Sequence, residues 1–245
     1  MKRTTVAVLC IAAVGIMSAV KITEEKVPQK QENKEREETD ETAASVGAVY
    51  EINQIHEDVF TRIQGISYPA DASISTEELR YLKVPYYGFD GQTHEGELIV
   101  NQRIAEDTVA VFKELYEAGY PIEQMKLIDD YQADDERSMS SNNTSAFNYR
   151  TIAGSDKLSN HGMGLAIDIN PLYNPCVQEK EGEMICEPAS GKAYADRMGD
   201  FSYKIEKGDL CYRIFEKYGF SWGGDWDSPK DYQHFEKTEV TSLEK

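Results

Sequence analysis

The sequence predicts an α+β fold: a small antiparallel sheet with helices packed on it. Two windows, 103–118 and 209–218, carry apolar residues at helical spacing, the stripe a half-buried helix needs. Short stretches at 95–102, 125–131, 164–170 and 232–237 read as strands. These helices and strands do not alternate in the strict order of a parallel βαβ sheet.

Taken in order, the chain opens on Lys2 and Arg3 followed by an uncharged, largely apolar run from Thr4 to Val20. A positive start before a hydrophobic run is an export signal. Residues 1–20 are therefore expected to be a signal anchor or a cleaved signal peptide, with only a weak cleavage match at Met17-Ser18-Ala19. Residues 21–47 hold many charges and no aromatic residue. Such a segment cannot bury enough surface to offset its ordering entropy, so a flexible charged stalk is expected. Residues 48–245 form the remaining domain. The expected location is extracytoplasmic, at the cell surface, membrane-anchored or secreted, with the membrane contacted only through the N-terminal segment.

Within the domain, EGELIVNQ (95–102) alternates as a strand. Ile104, Thr108, Val111, Phe112 and Leu115 then share a helical face, and Gly119 and Pro121 mark its end. MKLIDDY (125–131) reads as a strand leading to a long polar loop, 133–150. GLAIDIN (164–170) is a strand. Leu210, Ile214, Phe215 and Tyr218 form a second helical face, with Asp209 as N-cap and Gly219 as stop. FSWGG and YQHFEK close the domain as short strands.

The net charge is −18. An acidic domain without a basic patch excludes nucleic acid as the expected partner. Cys176 and Cys186 bracket a polar loop and are expected to form a short-loop disulfide in an oxidising compartment. Cys211 falls in the second helix and is expected to be a buried free thiol. The cysteine spacing does not match a zinc–cysteine site.

The chemistry concentrates in SNHGMGLAIDIN, residues 159–170. Asp168 stands in an apolar run, where an unpaired carboxylate costs several kcal/mol, so it needs a cation or several donors. His161 precedes it by seven residues, and His and Asp are both sound zinc ligands. A catalytic zinc takes three protein ligands and leaves one position open. The third is sought in WGGDWDSPKDYQHFEK, where Asp231 precedes His234 by three residues. One of that pair would bind the ion while the other takes a proton from the activated water. Trp222 and Trp226 would wall the cleft. His94 is read as a cleft or structural residue and His56 as a surface one.

The combination SxHxxGxAxD, then WGGDW and DYQHFE, resembles the zinc peptidases that include D-alanyl-D-alanine carboxypeptidases and L-alanyl-D-glutamate endopeptidases, whose fold is shared with the hedgehog signalling domain. The resemblance runs from Ile99 to Glu236 and is densest at 138–173 and 219–236. It implies a hedgehog/DD-peptidase-like fold and one Zn2+ held by His161, Asp168 and His234. It implies Asp231 as general base, in a D-x-x-H arrangement where many relatives carry E-x-x-H, with Glu236 and Asp225 as rivals more suited to supporting roles. It implies Ser159 as a substrate contact, and Arg137 as the group that stabilises the oxyanion, with Arg150 its rival and a further substrate contact. The implied activity is hydrolysis of peptidoglycan stem peptides by a monomeric enzyme. The competing expectation is a non-catalytic, zinc-stabilised module that binds cell wall or a partner. A calcium adhesion domain is disfavoured by the two histidines, because calcium takes oxygen ligands.

Overall fold

Strand alternation organises the first half of the domain. In the computed structural model, which describes residues 48–152 and 154–238, β1 (Glu51–Asn53) is followed by α1 (Glu57–Ile63), β2 (Leu79–Tyr87), β3 (Thr93–Asn101) and α2 (Ala105–Glu117). The expected signal and stalk, 1–47, lie outside the described residues. The three strands form an antiparallel sheet in the order β1-β2-β3. Successive side chains of a strand face opposite ways. Leu82, Val84, Leu98 and Val100 therefore join Phe112 and Leu115 of α2 in one apolar cluster. Leu79, Tyr81 and Ile99 join Val59 and Ile63 of α1 in another. Both faces of this sheet are covered.

The expected helix 103–118 is α2, and all five residues of its predicted face are buried. It ends where predicted. Gly119 adopts φ +66°, a left-handed conformation that costs glycine nothing. The Tyr120 N–H then donates back to the Leu115 carbonyl at 2.8 Å.

The stretch 125–131 departs from expectation. Only Gln124–Met125, β4, is extended, and Ile128–Tyr131 forms a 3-10 turn. Asp129 explains the turn. Its buried carboxylate faces inward and accepts the Ser67 N–H at 3.1 Å and the Ser67 hydroxyl at 3.0 Å. The polar loop 133–150 also holds structure: α3 (Asp135–Ser140), N-capped by the Asp134 side chain, and β5 (Asn143–Thr144), which pairs with β4 in parallel.

The second half supplies β6 (Ala166–Asp168), the hairpin β7 (Cys176–Lys180) and β8 (Glu183–Glu187), α4 (Leu210–Lys217), β9 (Ser221–Trp222), β10 (Lys230–Asp231) and β11 (His234–Glu236). Asp209 caps α4 as expected, accepting the Tyr212 N–H at 2.7 Å. Where the sequence led to one small sheet, the described residues hold three antiparallel three-stranded sheets, β1-β2-β3, β10-β7-β8 and β6-β11-β9, and the two-stranded β4-β5 pair. The class is mixed α and β, with small antiparallel sheets and few helices. No described helix is long and apolar enough to cross a membrane.

The expected disulfide is not formed. Cys176 pairs across the hairpin with Glu187, and Cys186 with Val177. Opposed residues share a face of a sheet while adjacent ones do not, so the two thiols leave opposite faces. Both are free, as is the buried Cys211 in the core.

Candidate metal centre and its cleft

Antiparallel pairing builds the site. In the β6–β11 ladder His234 lies opposite Asp168, and Phe235 lies opposite Ile167. Phe235 and Ile167 face the core, where Phe235 stacks on Phe215 with centroids 4.0 Å apart. Alternation then turns His234 and Asp168 together to the other face. His161 enters from the turn before β6. There the Ser159 hydroxyl oxygen accepts the Gly162 N–H at 2.9 Å, and the Gly164 N–H donates to the His161 carbonyl at 2.9 Å. A 3-10 turn at Gly223–Asp225 closes over the pair. A Cβ on Gly223 would stand 2.6 Å from the Asp231 carbonyl oxygen and 3.2 Å from the His234 Cβ, so only glycine permits this approach.

The donor atoms converge. His161 Nε2 lies 3.1 Å from His234 Nδ1 and 3.3 Å from Asp168 Oδ2, and His234 Nδ1 lies 3.3 Å from Asp168 Oδ1. One ligand atom from each of the three residues lies within 4.8 Å of the others. A tetrahedral zinc with bonds of about 2.0–2.1 Å requires ligand atoms about 3.3–3.4 Å apart. The remaining ring nitrogens are already bonded. His161 Nδ1 donates to the Ala146 carbonyl at 2.6 Å, and His234 Nε2 donates to Glu236 Oε2 at 3.0 Å. These bonds fix both tautomers and leave Nε2 of His161 and Nδ1 of His234 for an ion. Asp168 Oδ1 is buried without a hydrogen-bond donor. The residues present fit a zinc ion.

Electrostatics supports the same reading. Burial would raise the Asp168 carboxyl, but His161 and His234 more than offset it and hold it well below the usual carboxylate range. Burial would lower His234, yet Asp168 and Glu236, with Asp231 nearby, push it up to about 10. Without an ion the His234 ring therefore carries a proton, which a bound cation would displace from Nδ1. Asp231 moves the other way. Burial pushes its carboxyl up to about 6, opposed by His234 and reinforced by Asp168. Its Oδ1 is buried and has no donor.

These groups border a cleft of about 550 Å³. Ser159, Arg150, Asp231 and Trp226 line it with the three candidate ligands. Trp226 packs on His234, with ring centroids 5.1 Å apart. Arg150 is ion-paired with Asp135 at the cleft wall. Glu236, beside His234 Nε2, also receives the Asn160 side-chain amide.

Two expectations require correction. Trp222 does not wall the cleft. It is opposite Phe235 in the β9–β11 ladder and so shares that residue's core face, and its indole N–H donates to the Tyr232 carbonyl at 2.9 Å. Arg137 does not border the cleft either. It is exposed on α3, whose register turns Glu136 and Met139 to the cleft instead. His94 pairs with Asp90 at 2.9 Å, and Asp225 pairs with Lys207 at 3.0 Å, both away from the cleft. Sequence reasoning missed Cys176, Glu187, Glu136 and Gln233, which all line it. The first two arrive through the β7–β8 hairpin, which polar strands hide. Gln233 sits inside DYQHFE and only its position between Asp231 and His234 marked it.

A family model described as D-alanyl-D-alanine carboxypeptidase, of the zinc peptidases, matches residues 153–237, about a third of the chain. The match spans His161, Asp168, Asp231 and His234. No curated protein and no solved structure matches the chain.

Proposed function

We propose that this protein is a zinc peptidase that hydrolyses peptidoglycan stem peptides outside the membrane, with the D-alanyl-D-alanine bond as its first candidate target and the L-alanyl-D-glutamyl bond as its second. One observation carries the reading: donor atoms of two histidines and an aspartate converge within 4.8 Å of one another beside a separate buried carboxylate whose pKa is raised. A purely structural zinc site has no use for the fourth group.

His161, Asp168 and His234 would hold the ion. When bound, zinc supplies Lewis acidity at the scissile carbonyl and makes a water more acidic. Asp231 does the proton work. Its carboxyl, raised by burial, would accept a proton from the attacking water at Oδ1 and later deliver it to the leaving amine. Glu236 keeps the His234 ring in its working tautomer. Ser159 and Arg150 border the space for the peptide, and Arg150 is the guanidinium within the cleft to meet a developing oxyanion or a substrate carboxylate. The export signal and charged segment of 1–47 would hold this domain near the wall.

The test is digestion of the stem pentapeptide L-Ala-γ-D-Glu-L-Lys-D-Ala-D-Ala by the zinc-loaded protein, read by mass spectrometry. The two tetrapeptide products have equal mass and are told apart by fragmentation: loss of the C-terminal D-alanine identifies a carboxypeptidase, and loss of the N-terminal L-alanine an endopeptidase. Asp231→Asn should slow either cleavage by about 10²–10⁴-fold while the zinc stays bound. A zinc-loaded protein that cuts neither bond overturns the reading in favour of a binding module.

A further inference from the structure

Charge along the cleft does not balance. Six carboxylates and one guanidinium line it, and that guanidinium, Arg150, is already paired with Asp135. A divalent ion on the three ligands still leaves three negative charges in excess. Asp168, Asp231 and Glu236 belong to the metal centre. Glu136 and Glu187 do not, and among the described residues neither has a cationic partner. Glu136 uses one oxygen on the Ala189 N–H at 2.9 Å. The Glu187 side chain is exposed at the cleft.

Sheet register gives this excess a direction. Asp231 is opposite Cys176, and Cys176 is opposite Glu187. Opposed residues share a face, so the three side chains form one row across β10, β7 and β8. Adjacent strands lie about 4.8 Å apart, which sets Glu187 roughly 10 Å from Asp231, about three residues of extended peptide. The thiol between them feels the field. Burial, then Asp231 and Glu187, push the Cys176 pKa well up.

A second observation points to a missing donor on the same wall. Gln233 is 2 % exposed and borders the cleft. Its amide N–H donates to the Glu187 carbonyl at 3.4 Å. A carbonyl only accepts, so the amide nitrogen must face it, and Oε1 is left buried with no donor. This wall therefore holds a buried acceptor with no donor.

We propose that the cleft selects peptides carrying a primary ammonium, which docks at the Glu187 end of the Asp231–Cys176–Glu187 row. The inference rests on the peptidase reading and names its substrate class: amine-bearing peptides over those whose amine is masked.

The test uses the zinc-loaded protein and two pentapeptides, L-Ala-γ-D-Glu-L-Lys-D-Ala-D-Ala and the same peptide with the lysine Nε acetylated. Acetylation should lower kcat/KM about two- to fivefold at low salt. The gap should close in Glu187→Gln, and also in about 1 M salt, where the Debye length falls to about 3 Å. The Glu187 carboxylate is exposed and it is the backbone carbonyl that holds Gln233, so Glu187→Gln should retain one zinc, checked by metal analysis. Equal cleavage of both peptides by the unsubstituted protein, or a gap that survives in Glu187→Gln, overturns the selection while leaving the peptidase reading intact. Cleavage of neither peptide overturns the peptidase reading and this inference together.

Discussion

The β2–β3 pair and the β6–β11 pair obey the same alternation rule and put it to different use. In β2–β3 both faces carry buried apolar residues, one set packed on α2 and the other on α1, and the polar Lys83, Glu95 and Glu97 of the second face are ion-paired. In β6–β11 one face is apolar, with Ile167 and Phe235 in the core, while the other sets His234 against Asp168. The first pair is complete as it stands. The second buries a carboxylate oxygen with no donor, the place where the proposed cation would sit. Stability belongs to the first ladder, chemistry to the second.

The comparison breaks most sharply under a crossed pair of substitutions. Asp168→Ala should abolish stoichiometric zinc binding, read by metal analysis after dialysis, while the apolar core stays intact. Leu82→Ala should do the reverse. It removes a fully buried side chain at a cost of about 2–5 kcal/mol, read by denaturant unfolding, and the folded fraction should still hold zinc. A Leu82→Ala protein that folds but loses its zinc would show that the two ladders are not separable.

Asp231→Asn comes next. Removing a general base should lower kcat by about 10²–10⁴-fold with zinc content unchanged, because Asp231 stands outside the ligand set. Loss of zinc in this variant would move Asp231 into that set.

Much of this was legible in the sequence. The two long helices announced themselves by spacing and capping, because Ile104, Thr108, Val111, Phe112 and Leu115 repeat the turn of a helix. The site was legible because a lone Asp among Leu165, Ala166, Ile167 and Ile169 needs a partner. Other features were hidden for physical reasons. CVQEK and EMICE form a largely exposed hairpin whose pairing no apolar pattern reveals, so the Cys176–Cys186 spacing looked like a disulfide although register separates the thiols. The 125–131 strand failed because Asp129 bonds to Ser67, a contact across 62 positions of sequence. Trp222 and Trp226 looked equivalent on paper. Their fates differ because one pairs with Phe235 in a ladder and the other follows the 3-10 turn.

Glu236→Gln sharpens the site's outer layer. A carboxylate behind a ligating histidine is worth about 10–100-fold in metal affinity, so competition with a chelator should show a loss of that size. An unchanged affinity would reduce Glu236 to a neighbour. The smallest effect is on pH. Asp231 must be ionised to act, and burial sets its carboxyl near 6 in the metal-free site. A nearby cation lowers a carboxylate pKa. Hydrolysis by the zinc-loaded protein should therefore rise with pH through an acid limb at or below about 6, and a limb well above it would point to another base.

The central claim is that two imidazoles and one carboxylate hold a single ion. Zinc K-edge X-ray absorption on the zinc-loaded protein tests it most directly. The account predicts one zinc per chain with nitrogen and oxygen ligands at about 2.0–2.1 Å and no sulfur. A sulfur shell at about 2.3 Å, which would bring in Cys176, or a protein that takes up no zinc, would contradict it.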